Sequence, residues 1–145
     1  MQPNQVLPYV GDLAAGPGRD GFRVHELASA EDWVEVEAGM ARAERYVIQV
    51  DGNSMEPALR PGDFVVVEWH RSPRRQGQVV VMRNTQSTDG PVEAAIKRLH
   101  ETPSHWLFCS DNPTFDTIRV SRVDIPSYPI LGIVIHNLTR GERVS

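Results

Sequence analysis

The fold of this chain is decided by residues 50–63, whose sequence is Val50-Asp51-Gly52-Asn53-Ser54-Met55-Glu56-Pro57-Ala58-Leu59-Arg60-Pro61-Gly62-Asp63. Its ending, Arg60-Pro61-Gly62-Asp63, predicts a tight turn, because proline presets the first turn angle and glycine accepts a positive one. We expect one strand to end before Gly52 and another to begin after Asp63, which places Ser54 on the loop between them. Gly-Asn-Ser is also ordinary turn chemistry, so this loop alone defines no site.

Short runs of β-branched and aromatic residues recur along the rest of the chain and predict a mostly β protein. The predicted strands are Trp33 to Glu37, Tyr46 to Val50, Phe64 to Glu68, Gln78 to Met82, Val92 to Leu99, Trp106 to Ser110, Thr117 to Val120 and Leu131 to His136. A helix from Ser29 through Ala43 competes with the first strand, because Ser29 can cap it. Gly39 weakens that helix, so we favour the strand and at most a short helical turn at 41–44. Residues 84–90 are predicted to form a hairpin tip.

The length and composition of the chain fit one compact domain with a mobile N-terminal extension. Of the 145 residues, 40% are apolar and 23% charged, which is enough material for a core. Proline and glycine are dense in the first 20 residues. We therefore expect a flexible arm over residues 1–20 and a folded domain over residues 21–145.

Charge, cysteine content and hydropathy exclude several classes of protein. A net charge of -4 and the absence of a basic stripe argue against direct DNA binding by this chain. A single cysteine, Cys109, permits no intrachain disulfide and indicates a reducing cytoplasm. No apolar run approaches the ~18 residues of a membrane span. The histidine spacing predicts no metal site, and nothing predicts a cofactor.

Lys97 is the residue whose chemistry complements a loop serine. A serine hydroxyl becomes a good nucleophile only when a base removes its proton. A lysine can be that base when its pKa falls from ~10.4 toward neutrality, which burial among apolar groups brings about. Strand alternation places Ala95 and Leu99 on the same face as Lys97. An ordinary strand lysine is solvated, so the interpretation depends on a pairing of Lys97 with Ser54.

The order of these motifs resembles the LexA and UmuD peptidase family. The resemblance is carried by Gly52-Asn53-Ser54-Met55-Glu56-Pro57, Pro61-Gly62-Asp63, Ala95-Ile96-Lys97-Arg98, Ser110-Asp111-Asn112-Pro113 and the apolar run at 130–136. It covers almost the whole chain and implies that Ser54 is the nucleophile and Lys97 the general base. The amides of Ser54 and Met55 are then the expected oxyanion donors. The implied fold is a set of curved, partly closed antiparallel sheets of the LexA C-terminal or signal-peptidase type, with little helix.

The family cleaves itself at an Ala-Gly or Cys-Gly bond in a segment that precedes the catalytic core. The matching bond here is Ala15-Gly16, which lies in the breaker-rich arm. Small residues on both sides let an extended chain enter a narrow active site. The same composition is also ordinary for a linker, and Pro17 restricts the conformation of Gly16.

The resemblance implies a homodimeric protein of the SOS response that cuts itself when a RecA filament on single-stranded DNA stimulates it. Two versions remain open: a UmuD-like mutagenesis protein that partners a translesion polymerase, and the C-terminal domain of a LexA-type or phage-type repressor. Only 15 residues precede the proposed scissile bond, which leaves no room for a helix-turn-helix domain. The alternatives are a non-cleaving dimerisation or regulatory module with an idle Ser-Lys pair, and a signal-peptidase-like protease that acts in trans.

Overall fold

The computed structural model describes residues 6–14, 22–23, 32–69, 71–73, 75–83, 93–123 and 129–144. Within these ranges the chain forms β-strands and turns and contains no helix, so the mostly β fold expected from the sequence is confirmed. None of the described segments forms a helix long and apolar enough to cross a membrane.

The described strands belong to one mixed sheet. They are β1 (Val6–Ala14), β2 (Phe22–Arg23), β3 (Asp32–Glu35), β4 (Arg45–Asp51), β5 (Phe64–Trp69), β6 (Gln78–Arg83), β7 (Glu93–Glu101), β8 (His105–Cys109), β9 (Ile118–Ser121), β10 (Ile130–Asn137) and β11 (Glu142–Arg143). Their order across the sheet is β3-β1-β4-β5-β10-β6-β7-β8-β9, with β11 paired to β10 and β2 to β7. The pair β1 and β4 is parallel, whereas the other described pairs are antiparallel.

Every strand predicted between residues 33 and 136 is present, with ends that differ by two residues at most. The strand interpretation of the first region is confirmed by β3, and turns rather than a helix follow it at residues 38–40 and 43–44. The predicted hairpin tip at 84–90 lies outside the described residues. The strands on either side of it, β6 and β7, pair antiparallel with each other.

Strand β1 lies in the segment expected to be an arm, where the sequence predicted no strand. Its backbone is extended, and it is inserted between β3 and β4. Its register with β4 shifts between Tyr9 and Asp12, which is where Gly11 occurs. Such an irregularity lets a strand accommodate a glycine that would weaken a regular ladder.

The core covers both faces of the central strands. Side chains of β4 alternate, so that Tyr46, Ile48 and Val50 pack in one apolar cluster and Val47 in another. Strand β5 repeats the pattern with Val65 and Val67 in the first cluster and Val66 in the second. Burial on both faces explains the three consecutive valines of β5, Val65 to Val67, because neither face of the strand is exposed to solvent there. The same packing includes Val50 and so holds the end of β4, after which the Ser54 loop begins.

Candidate active site

The Ser54 loop is closed at its base by backbone hydrogen bonds between the two strands it connects. The Val50 amide donates to the Asp63 carbonyl at 2.8 Å, and the Gly62 amide donates to the Val50 carbonyl at 2.8 Å. Gly52 and Gly62 have φ values of 91° and 90°, a region that glycine enters without strain. The sequence-predicted tight turn at residues 60–63 is therefore present, and it sets both ends of the loop.

Asp63 attaches this loop to β10, the strand next to β5 in the sheet. Its buried carboxylate accepts hydrogen bonds from the Arg60 amide at 3.0 Å and from the side-chain amide of Asn137 at 2.9 Å. Arg140 adds an ion pair at 3.7 Å. Inside the loop, Met55 and Leu59 are buried in the first core cluster. The backbone around Ser54 is thus held by polar contacts at its base and by apolar packing beneath it.

The structure brings together the two residues that the sequence named as a pair. The Nζ atom of Lys97 lies 3.4 Å from the Oγ atom of Ser54. Ser54 is 0% exposed and Lys97 is 6% exposed. Ala95 and Leu99, predicted to share the face of Lys97, are both buried in one cluster. Both side chains are thus removed from solvent, and burial disfavours the charged form of an amine.

A second hydroxyl group, that of Ser110, also contacts the lysine. The sequence analysis did not assign this residue to the site. The Ser110 Oγ atom lies 2.9 Å from Lys97 Nζ, and the ring centroid of Phe115 lies 5.9 Å from the same atom. Strands β7 and β8 pair antiparallel with Arg98 opposite Cys109, so the next positions along the pair are Lys97 and Ser110. The turn between β7 and β8 helps to fix their register, and the contact of Ser110 with Lys97 depends on that register, which the sequence analysis did not predict.

The two residues after Ser110 connect the lysine strand to the serine loop. Asp111 forms a bidentate pair with Arg98 at 2.8 and 2.9 Å, and this hydrogen bonding raises the pKa of Arg98. Asn112 donates from its backbone amide to the Ser54 carbonyl at 2.9 Å and from its side chain to the Asn53 carbonyl at 3.2 Å. Three consecutive residues, 110–112, thus bind Lys97, the neighbouring Arg98 and the Ser54 loop.

The predicted oxyanion donors lie at the start of a tight turn. Neither the Ser54 amide nor the Met55 amide donates to a backbone acceptor in the part of the chain that the structure describes. An oxyanion hole needs donors of this kind, held in place before the reaction begins.

Strand β1 runs toward this site along β4. Its last residue, Ala14, pairs with Asp51, and Leu13 pairs with Val50, so β1 ends beside the point where the Ser54 loop begins. Strands β1 and β7 are also in contact. The predicted cleavage site, Ala15 and Gly16, follows directly in the sequence but lies outside the described residues.

The fold and the site together define a mostly β protein with a buried serine-lysine pair of the kind that acyl-transfer enzymes use. The chain belongs to the Peptidase S24-like family, which matches residues 8–135. The resemblance noted from the sequence motifs is thereby confirmed.

Individual relatives are repressors. The chain is 30% identical over 132 residues to the LexA repressor of Anaeromyxobacter dehalogenans (strain 2CP-1 / ATCC BAA-258), an alignment covering 89% of this chain and 53% of the relative. It is 28% identical over 138 residues to Repressor protein C of Rhizobium phage 16-3, covering 90% of this chain and 51% of the relative. The chain spans about half the length of the curated relatives it matches.

Proposed function

We propose that this chain is a self-cleaving serine endopeptidase that cuts its own Ala15-Gly16 bond. The observation that carries the proposal is the 3.4 Å contact between Ser54 Oγ and Lys97 Nζ in a buried site. This separation is slightly longer than the ~2.6–3.2 Å of a direct proton transfer, and catalytic hydrogen bonds of this kind commonly shorten when the substrate binds. Membership of a peptidase family supports the same chemistry.

The proposed reaction is acyl transfer in two stages. Neutral Lys97 takes the proton of Ser54 as Oγ attacks the Ala15 carbonyl carbon, and the amides of Ser54 and Met55 stabilise the oxyanion. The carbon-nitrogen bond then breaks, and the new Gly16 amine leaves with the proton from Lys97. Water, deprotonated by the same lysine, hydrolyses the ester and frees Ser54. The segment from Met1 to Ala15 is released, and the core begins at Gly16.

The position of β1 supports cleavage within one molecule. The strand approaches the Ser54 loop in extended form and ends at Ala14, one residue before the proposed acyl donor. An extended chain held beside the nucleophile has already lost the freedom that a diffusing peptide would have to lose.

The relatives support a role in the regulation of transcription after DNA damage. Both are named as repressors, and we propose a cytoplasmic, homodimeric SOS-response protein whose cleavage a RecA filament stimulates. A UmuD-like mutagenesis protein that partners a translesion polymerase is the second version. A polymerase gene next to this one would favour the second version, and a reading frame that continues upstream into a helix-turn-helix segment would favour the first.

Alkaline incubation of the purified chain tests the proposed activity. Ser54→Ala and Lys97→Ala each remove one half of a unit that acts together, so each is expected to lower the cleavage rate by a factor of roughly 10² to 10⁴ or more. Intact-mass spectrometry follows the products, and far-UV circular dichroism checks the fold. Ser104→Ala, an exposed serine at the far end of β8, is the matched control.

Two outcomes of this experiment contradict the proposal. A wild-type chain that stays intact at high pH is the behaviour of an idle dimerisation module. A Lys97→Ala chain that cleaves as fast as the wild type removes lysine from the mechanism. Mixing labelled Ser54→Ala protein with wild type tests whether cleavage occurs within one molecule. Cleavage of the labelled chain would show a protease that acts in trans.

A further inference from the structure

The amine of Lys97 lies between two hydroxyl groups, and only one of them belongs to the nucleophile. Its Nζ atom is 3.4 Å from Ser54 Oγ and 2.9 Å from Ser110 Oγ. The shorter of these hydrogen bonds goes to the hydroxyl that the proposed reaction does not consume. The proposed reaction alone therefore does not explain the hydrogen bond between Lys97 and Ser110.

A neutral lysine amine has two N–H bonds and a single lone pair, and rotation about its last carbon-nitrogen bond decides where the lone pair points. To remove the Ser54 proton, the lone pair must face Ser54 Oγ. A hydroxyl oxygen that accepts one of the N–H bonds from another direction restricts this rotation. We infer that Ser110 is a positioning residue that accepts an N–H from Lys97 and turns the lone pair toward Ser54; the inference rests on the proposed function.

The structure holds Ser110 where this role requires it. It follows β8 directly, and the pairing of Arg98 with Cys109 brings it opposite Lys97. The Asp111 carboxylate next to it is fixed by two hydrogen bonds from Arg98, which also donates to the Gly77 carbonyl at 2.7 Å. Ser110 is thus attached to the sheet on both sides, which is what a residue needs in order to orient a flexible side chain.

A purely structural role for Ser110 is the competing explanation, because any buried amine needs hydrogen-bond acceptors. The two roles differ in their effect on the pH dependence of cleavage. Among the described residues, the groups that contact Nζ include two hydroxyls and the Phe115 ring, while the nearby Arg98 and Asp111 are paired with each other. A hydrogen bond to Ser110 stabilises the ammonium form, so its loss shifts the midpoint of the pH-rate profile to lower pH. A purely structural acceptor changes the midpoint or the stability but leaves the plateau rate of the neutral lysine at high pH in place, whereas a positioning residue also sets that plateau rate.

The test is the full pH-rate profile of self-cleavage for Ser110→Ala, Ser110→Cys and Ser110→Thr. We expect Ser110→Ala to lower the plateau rate at high pH roughly 10- to 100-fold, the range for a misplaced catalytic group, with an earlier midpoint. Ser110→Cys keeps the shape but offers a weak acceptor, so it is expected to be slow while remaining folded. Ser110→Thr retains the hydroxyl and is expected to restore most of the rate. Ser104→Ala is the control.

The outcomes separate this inference from the function on which it rests. If the wild type cleaves and Lys97→Ala does not, but Ser110→Ala and Ser110→Cys both cleave with the wild-type rate and profile, the positioning role is wrong and the peptidase stands. A Ser110→Ala chain whose midpoint or melting temperature changes while its plateau rate stays at the wild-type value assigns a structural role and also overturns the inference. An intact wild-type chain overturns both.

Discussion

Strands β1 and β7 both reach the serine-lysine site, but different forces hold them in place. Strand β7 lies inside the sheet between β6 and β8, and its side chains from Ala94 to Leu99, apart from half-buried Arg98, are buried. Strand β1 lies next to the edge strand β3, on which Trp33 is 61% exposed. Of the side chains described on β1, Leu7 is the one buried in a core cluster, at 2% exposure.

This difference corresponds to the two tasks that the proposed reaction sets. A general base must be held within a few tenths of an ångström, and a strand packed on both faces provides that. A cleavable segment must instead enter the site and leave it again, which favours main-chain pairing with few buried side chains. The following predictions test whether the two strands are independent in this way.

The largest effect is expected from a change at the scissile bond itself. Gly16→Val should reduce self-cleavage by a factor of about 100 or more, because a β-branched side chain crowds the nucleophile and disfavours the conformations open to glycine before proline. Intact-mass spectrometry after alkaline incubation measures it. Gly18→Val, two residues beyond the bond, is the matched control. A major wild-type product that begins at any residue other than Gly16 would refute the assignment of the bond.

A smaller step, about tenfold for each pH unit, is expected from pH, and it reports on the β7 side of the site. Between about pH 7 and the midpoint of its titration, the neutral fraction of a lysine base grows about tenfold per pH unit. The cleavage rate is expected to rise with that slope and then level off. Single-turnover rates from pH 6 to 10 check it. A rate that peaks near pH 6 and declines above it would indicate a histidine or carboxylate base and exclude Lys97.

The smallest effect is expected from weakening the attachment of β1. Leu7→Ala removes packing against Val47 and Val66, and a buried leucine truncation costs about 2–4 kcal/mol. We expect this cost to appear as opening of β1 and a several-fold slower cleavage, with β7 unaffected. Amide hydrogen exchange resolved by residue measures both strands, and Val123→Ala, at a residue that is 87% exposed and lies outside both strands, serves as the control. Equal loss of protection in β7 would show that the two strands open together.

The sequence predicted the parts of this molecule that depend on local patterns. Strands such as β4, β5 and β10 have apolar runs that a buried sheet explains, and the Gly52 to Asp63 motif located the Ser54 loop between β4 and β5. The pairing of Ser54 with Lys97 required a resemblance to known motifs, because nothing local brings the two residues together.

The features that the sequence did not predict depend on strand pairing. Strand β1 contains Pro8 and Gly11, which locally argue against a strand, and it is held by its neighbours instead. Strands β2 and β11 are two residues long, too short to leave a pattern. Ser110 acquires its contact with Lys97 from the register of β7 and β8, which is a property of the pair and not of either strand.

The parallel pairing of β1 with β4 of the same chain has a kinetic consequence. If cleavage takes place from this arrangement, each molecule carries one substrate at a fixed local concentration, and the reaction is first order in protein. Dilution then leaves the half-life of the intact chain unchanged, whereas an encounter between molecules would slow in proportion to dilution. Each copy then reacts once, because the reaction cuts the one proposed substrate bond in its own chain. Such a protein is described by the half-life of its intact form rather than by a turnover number, and under our proposal the orientation of the Lys97 amine helps to set that half-life.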